Sequence, residues 1–223
     1  MSTNQILPTY LFYNRGTRAA KTLEGARTAH NETASAAAQA AARSLGDLTH
    51  KVYVRADRDG ATSDEFLILD VWNNLEGFKQ FFANTVSRSK LLNQRDQVLW
   101  SPAEGFYSYH LQAPYGKNER FVAIVRGAVH SRAEAQTLHN DFVARQVGKA
   151  HVAGAVSHEA YFRINEPEAP ESLEFLAMDV WTDSSGMAQY YQGAEFQNSL
   201  QKLFATAPSI STWTHPAGDW NEW

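Results

Sequence analysis

The sequence predicts an α+β protein made of two copies of one β-α-β-β-α-β unit. Three observations predict it. First, His30-Asn31 recurs as His139-Asn140, and His50-x-x-Tyr53-x-Arg55 recurs as His158-x-x-Tyr161-x-Arg163. Second, Glu65-Phe66-Leu67 with Asp70-Val71-Trp72 recurs as Glu174-Phe175-Leu176 with Asp179-Val180-Trp181. The offset stays at 108 or 109 residues, a period near half the chain. Third, each half carries alternating and helical hydrophobic patterns in the same order.

In the first half, Leu7 to Asn14 reads as a short strand. Arg18 to Leu45 reads as one long Ala-rich helix. Its apolar stripe comprises Leu23, Ala26, His30, Ala34, Ala37, Ala38, Ala41 and Leu45, and Gly46 ends it. Thr49 to Arg55 alternates as a strand, and Asp57-Arg58-Asp59-Gly60 is a turn. Glu65 to Trp72 is the strongest strand signal. A helix follows from Leu75 to Asn84, and Val98 to Trp100 starts a fourth strand. Phe106 to Leu111 is extended, and Ala113 to Asn118 is the linker. The expected domains are therefore 1–113 and 114–223.

The pattern then restarts. Phe121 to Val129 is a strand, and Ser131 with Glu134 forms a capping box. His158 to Arg163 and Leu173 to Trp181 are strands around a loop with Pro167 and Pro170. Asp183 to Phe204 is helical with a break near Gly193, and Ile210 to Trp213 is the last strand. This order is ferredoxin-like, an antiparallel sheet with helices on one face. A lone repeat leaves the other sheet face bare, so the two are expected to pack sheet to sheet as an intramolecular α/β barrel.

Composition narrows the function. The 223 residues carry a net charge of −4, and no Lys/Arg run points to nucleic acid or an anionic membrane. With no cysteine, thiolate nucleophiles, disulfides and Cys-bound metals are excluded. The N-terminus has no signal-peptide pattern, and no apolar run reaches membrane-span length. A cytoplasmic protein is expected, a monomer with an internal pseudo-dimer or a homodimer.

The chain resembles the dimeric α/β-barrel superfamily, in particular the antibiotic-biosynthesis-monooxygenase type of domain. Leu45-Gly46 leading into His50-Lys51-Val52-Tyr53 carries the resemblance, with Phe66 to Trp72 and the helix holding Phe78 and Phe81-Phe82. In the second half it rests on Phe175 to Trp181 and on Tyr190 to Phe196. It covers most of each half. It implies a cofactor-independent monooxygenase-like enzyme acting on a small aromatic or polyketide-like substrate, with no cofactor. Family members also include haem-degrading enzymes, isomerases and proteins of unassigned role. Typical members carry a His in the second helix, where this chain has Phe81-Phe82 and Tyr190-Tyr191. Tyr13-Asn14-Arg15 resembles the start of haem-degrading members. The Trp and His that accompany it there are not matched by Phe81 and Leu91.

On this reading the catalytic candidates are His30, Asn31, Arg55, Asp70 and His139. His30 sits in the apolar helix stripe, as a base or as a core His. An Asp within an apolar strand face needs a partner, so Asp70 is expected to pair with His30 or His50, and Asp179 with His139 or His158. Asn31 and Arg55 would position the substrate. Arg55 is equally suited to a cross-strand pair with Glu65, repeated as Arg163 with Glu174. The substrate-binding candidates are Asn14, Tyr53, Trp72, Phe78, Phe81, Phe82, Tyr161 and Trp181. If one half keeps a working pocket, the small side chains of the Ala-rich first helix point to the first half; the alternative is that this helix simply sits nearer the sheet. No His pair has helical ligand spacing, so no metal site is expected. Two other functions stay open: a non-catalytic ligand-binding or stress-response protein, and a haem- or metal-binding protein.

Overall fold

The computed structural model describes residues 9–56, 64–83, 91–112, 120–165 and 169–223. The expected turn at 57–60 and the linker at 113–118 lie outside the described residues. The chain forms two compact units, residues 1–101 with 215–223, and residues 102–214. The unit boundary is thus not the expected 113/114, and the last nine residues belong with the first unit.

Unit 1 contains β1 (Tyr10–Arg18), α1 (Leu23–Thr33), α2 (Ala36–Ser44), β2 (Asp47–Arg55), β3 (Glu65–Trp72), α3 (Leu75–Ala83) and β4 (Leu92–Pro102). Its strands run antiparallel in the order β4-β1-β3-β2. Side chains alternate along a strand. Phe66, Ile68, Asp70 and Trp72 therefore face one side, with Val52 and Val54 of β2 on that same side. Ala26 of α1 packs on Val52, Val54, Phe66 and Ile68, while Ala42 of α2 and Phe81 of α3 pack on Trp72.

Unit 2 contains β5 (Tyr109–His110), β6 (Phe121–Ala128), α4 (Arg132–Val152), β7 (Ala155–Arg163), β8 (Glu174–Trp181), α5 (Ser184–Gln192), α6 (Ala194–Leu203) and β9 (Ser209–Thr214). Its order is β9-β6-β8-β7-β5. Four of these strands repeat the unit 1 arrangement, and β5 adds a short edge to β7 through Tyr109 and His110. Each unit is thus ferredoxin-like. The structure does not confirm the further expectation of one barrel closed from both sheets.

The single long helix expected over 18–45 is two helices. α1 ends at Thr33 with Ala34 as its C-cap, and Ser35 is the N-cap of α2, its hydroxyl accepting from the Ala38 amide at 3.4 Å. A Ser that caps a new turn competes with helix continuation. The matching α4 has Ala144 at that position and runs unbroken for 21 residues. Ser131 caps α4 as the capping box predicts.

Candidate functional site

Each unit builds the same buried row of side chains. In β2 and β3, His50 lies directly across from Asp70, so the two share the helix-covered face. His50 Nδ1 meets Asp70 Oδ1 at 2.5 Å. Helix α1 places His30 above them, with Nε2 of His30 2.9 Å from Nε2 of His50. His30 Nδ1 in turn lies 3.1 Å from Asn31 Oδ1. Unit 2 repeats the row: Asp179 to His158 at 2.7 Å, His158 to His139 at 2.8 Å, and His139 to Asn140 at 3.1 Å. His30, Asp70, His139, His158 and Asp179 are all buried.

Backbone contacts fix the protonation pattern. Asn31 Nδ2 donates to the Asp219 carbonyl at 2.9 Å, and its Oδ1 accepts the Asn221 amide at 2.8 Å. Asn140 Nδ2 donates to the Gly105 carbonyl at 2.8 Å, and its Oδ1 accepts the Tyr107 amide at 2.7 Å. The amide oxygens therefore face the His rings, so Nδ1 of His30 and of His139 must be N–H. Each row has three hydrogen bonds between four ring nitrogens and two oxygen acceptors. Two neutral imidazoles carry only two protons. A fully bonded row holds a third, which leaves it neutral overall against the aspartate charge. Burial, then the neighbouring imidazole, lowers the pKa of His30 and of His139 to about 4. Both rings are thus neutral at pH 7, accepting at Nε2 from His50 and His158. The Nε2 atoms also stand too close to share a metal, since two nitrogens on one zinc lie roughly 3.3 Å apart.

A strap covers each row, and sequence reading missed it. Trp220 packs on His30 with ring centres 5.2 Å apart, and Trp223 stacks on His50 at 4.5 Å. Phe106 packs on His139 at 5.1 Å, and Tyr109 stacks on His158 at 5.6 Å. The signal was present as Pro102-Ala103-x-x-Phe106-x-x-Tyr109 and Pro216-Ala217-x-x-Trp220-x-x-Trp223, offset by 114 residues. Each strap is held by its Asn. Replacing Asn140 with Leu removes the bonds to Gly105, Tyr107 and His139 and is expected to cost about 2 kcal/mol. Urea unfolding of Asn140→Leu checks this.

The two rows differ in what lies beside them. In unit 2 a cavity of about 60 Å³ is walled by Val125, Phe142, Phe175 and Phe196, among others, and reaches His139, His158, Asp179, Tyr109 and Tyr190. In unit 1 the cavity beside His30 is about 10 Å³, closed by Trp220 with Ala26, Val52, Phe66 and Ile68. The expectation of a more open first half is corrected. Ala26 of α1 packs directly on Val52, Val54, Phe66 and Ile68, and Trp220 of the strap closes most of what remains.

Several candidates fall elsewhere. Tyr53 and Arg55 point to the sheet face opposite His50. Arg55 donates to Glu65 at 2.9 Å, and Arg15 joins them at 3.1 Å. Arg163 and Arg126 clamp Glu174 likewise. Burial alone would raise these two carboxyls, and the paired guanidiniums overcome it and hold them below their usual range. Tyr161 bonds Glu159 on that opposite face. Arg55 is therefore an ion-pair residue remote from His30. Phe78, Phe81 and Phe82 pack on one another and on Trp72 and Phe12, with ring centres 4.5–6.2 Å apart. They form core and line no cavity by His30. Asn14 sits opposite Ile68 on the His face, and its buried Oδ1 has no partner among the described residues. Trp181 does line the unit 2 cavity, and its Nε1 donates to Tyr191, whose hydroxyl donates to Asp179 at 2.5 Å.

No family model matches the sequence, and no curated protein matches it. Solved structures match over nearly the whole chain. An anthrone oxidase-like protein superposes with TM-score 0.64 at 11% identity, covering 96% of this chain and 93% of that one. A monooxygenase-like protein from Listeria innocua gives 0.53 at 10% identity, with 95% and 96% coverage. A ferredoxin-fold protein related to antibiotic biosynthesis monooxygenases, from Listeria monocytogenes, gives 0.52 at 9% identity, with 95% and 96% coverage. At such identities the likeness establishes the fold alone, which is the expected ferredoxin-like one.

Proposed function

We propose that the chain is a small-molecule oxygenase of the cofactor-independent kind, with its working centre in unit 2. The observation that carries this reading is the Asp179–His158–His139 row at the polar end of a cavity with aromatic walls. Every ring nitrogen of the row is bonded, so a substrate must part the two Nε2 atoms. It then meets a lone pair on His139 and an N–H on His158 held by Asp179. The lone pair would take a proton from an activated methylene, and the N–H would hold the oxygen on which negative charge develops. The carbanion reduces dioxygen. One oxygen atom becomes a carbonyl at the former methylene, and the other leaves as water with both hydrogens.

The fold of the anthrone oxidase-like neighbour makes anthrone a sensible first substrate. Oxygen uptake with anthrone is expected for the wild type, with kcat lowered about 10²–10⁴-fold in His158→Ala and in Asp179→Asn. His50→Ala in the closed unit 1 row is expected to retain turnover. Uptake that survives both unit 2 changes would overturn the assignment. Binding without any uptake would favour a ligand-binding protein.

A further inference from the structure

The two rows are alike, but the aromatic residues around them differ in one chemical respect. Trp223 of unit 1 corresponds to Tyr109, and Phe81 and Phe82 correspond to Tyr190 and Tyr191. Unit 1 thus lacks a hydroxyl at three places where unit 2 has a phenol, and its one polar group there is the Trp223 indole N–H, buried with no partner among the described residues. One of the three hydroxyls, that of Tyr191, is already spent on Asp179. The other two are not. Tyr109 and Tyr190 both line the unit 2 cavity, and neither hydroxyl makes a hydrogen bond to the described residues. Both residues are half-buried, and their hydroxyls are not among the fully buried polar atoms left without a partner, so a ligand entering the cavity would replace water on them.

Both rings are held in place. Tyr109 stacks on His158, and β5 fixes its backbone against β7. Tyr190 packs on Trp181 at 5.3 Å and on Phe196 at 5.6 Å. Burial and then the Asp179 charge push both phenol pKa values far above their ordinary value. The hydroxyls therefore stay protonated and act as donors at any working pH.

From this we infer that Tyr109 and Tyr190 form an oxygen-binding subsite, which selects flat aromatic ligands bearing a phenol or carbonyl oxygen. The inference rests on the cavity assignment made under Proposed function, and it specifies the substrate class. Tyr190 is among the groups that act electrostatically on Tyr109, so the two phenols are neighbours in the cavity wall. A ring lacking oxygen would fill the apolar walls and leave both hydroxyls without a partner, and such mismatches are discriminated strongly.

The test compares two probes of nearly equal shape, 1-naphthol and naphthalene, by calorimetric titration of the full chain. Wild type is expected to bind 1-naphthol at least about tenfold more tightly. In the Tyr109→Phe, Tyr190→Phe double variant the ratio is expected to fall toward one, with naphthalene affinity kept within about threefold. That retained affinity shows the variant is folded. Leu138→Trp, which fills the cavity from half-buried α4, is expected to weaken both probes. A preference for 1-naphthol that persists in the double variant overturns the subsite. So does equal binding of the two probes by wild type, failure of both to bind, or indifference to Leu138→Trp. Failure of the oxygenase reading alone looks different: the naphthol preference and its loss remain while anthrone supports no oxygen uptake.

Discussion

Replacing Gly186 with Ala is expected to lower the unfolding free energy by about 3–4 kcal/mol, measured by urea or thermal unfolding. Gly186 lies in the first turn of α5, pressed against the end of α4. A Cβ there would stand 1.9 Å from the Ala153 carbonyl oxygen and 2.8 Å from its carbon. Both are backbone atoms of a helix end, so no side chain can swing aside. Unit 1 repeats the contact, with Gly77 of α3 at 1.8 Å from the Leu45 carbonyl oxygen. The chain reaches these contacts through glycines at positive φ, Gly46 at 105° and Gly154 at 108°. Gly148, on α4 with nothing within 4 Å, is the control. Gly148→Ala is expected to stabilise by about 0.5–1 kcal/mol, since Ala costs less than Gly in a helix. Equal effects at 186 and 148 would show that the close approach does not hold α5 in place.

These glycines mark where sequence reading stops. Gly46 was readable because it follows a long apolar stripe. Gly77 and Gly186 sit inside helices, and their need for bare hydrogen comes from a neighbour that pattern cannot reveal. The strand faces were readable because alternation decides them. A carboxylate among Phe66, Ile68 and Trp72 needs a partner, and the partner lies directly across the ladder at His50. The opposite face was readable too, since Arg55 and Glu65 are near one another on adjacent strands. What alternation could not show is the second imidazole, because the reach of α1 over the sheet depends on where the helix begins and breaks. Ser35 ends the stripe that His30 belongs to, and Ala-rich composition hid that break.

The straps were hidden for a different reason. Trp220, Trp223, Phe106 and Tyr109 look like ordinary core aromatics, and their offset of 114 differs from the 108 or 109 of the rest. A strap also covers the row of the unit it joins, not of the repeat it follows in sequence. The residues 102–111 follow β4 yet lie on the unit 2 row, and 215–223 follow β9 yet lie on the unit 1 row. Reading each repeat as self-contained therefore assigns the open pocket to the wrong half. Small residues on α1 predict space only if nothing else fills it, and Trp220 closes most of it.

Acid is expected to destabilise the protein well above the range where carboxylates protonate. An unfolded His takes up its proton near pH 6.5, whereas folded His30 and His139 do so only at about 4. Between those values the unfolded chain binds more protons, so unfolding free energy falls as pH falls. The stability is fully present above about pH 6.5 and is lost down to about pH 4. At roughly 1.4 kcal/mol per pH unit, each row loses about 3 kcal/mol over that span. The groups facing His139 are His158, Asp179 and Asn140, and those facing His30 are His50, Asp70, Asn31 and Glu222. Glu65, Glu174 and Glu222 have carboxyls held below their ordinary 4.5, so their contribution disappears only at lower pH. The slope between pH 6.5 and 4.5 therefore belongs to the histidines. Urea midpoints taken at pH 7, 6, 5 and 4.5 are expected to fall steadily in the wild type. They are expected to flatten in a His30→Gln, His139→Gln variant, where a neutral amide replaces each ring. A flat wild-type profile, or an unchanged slope in that variant, would mean that the buried rows accept protons as readily as the unfolded chain does.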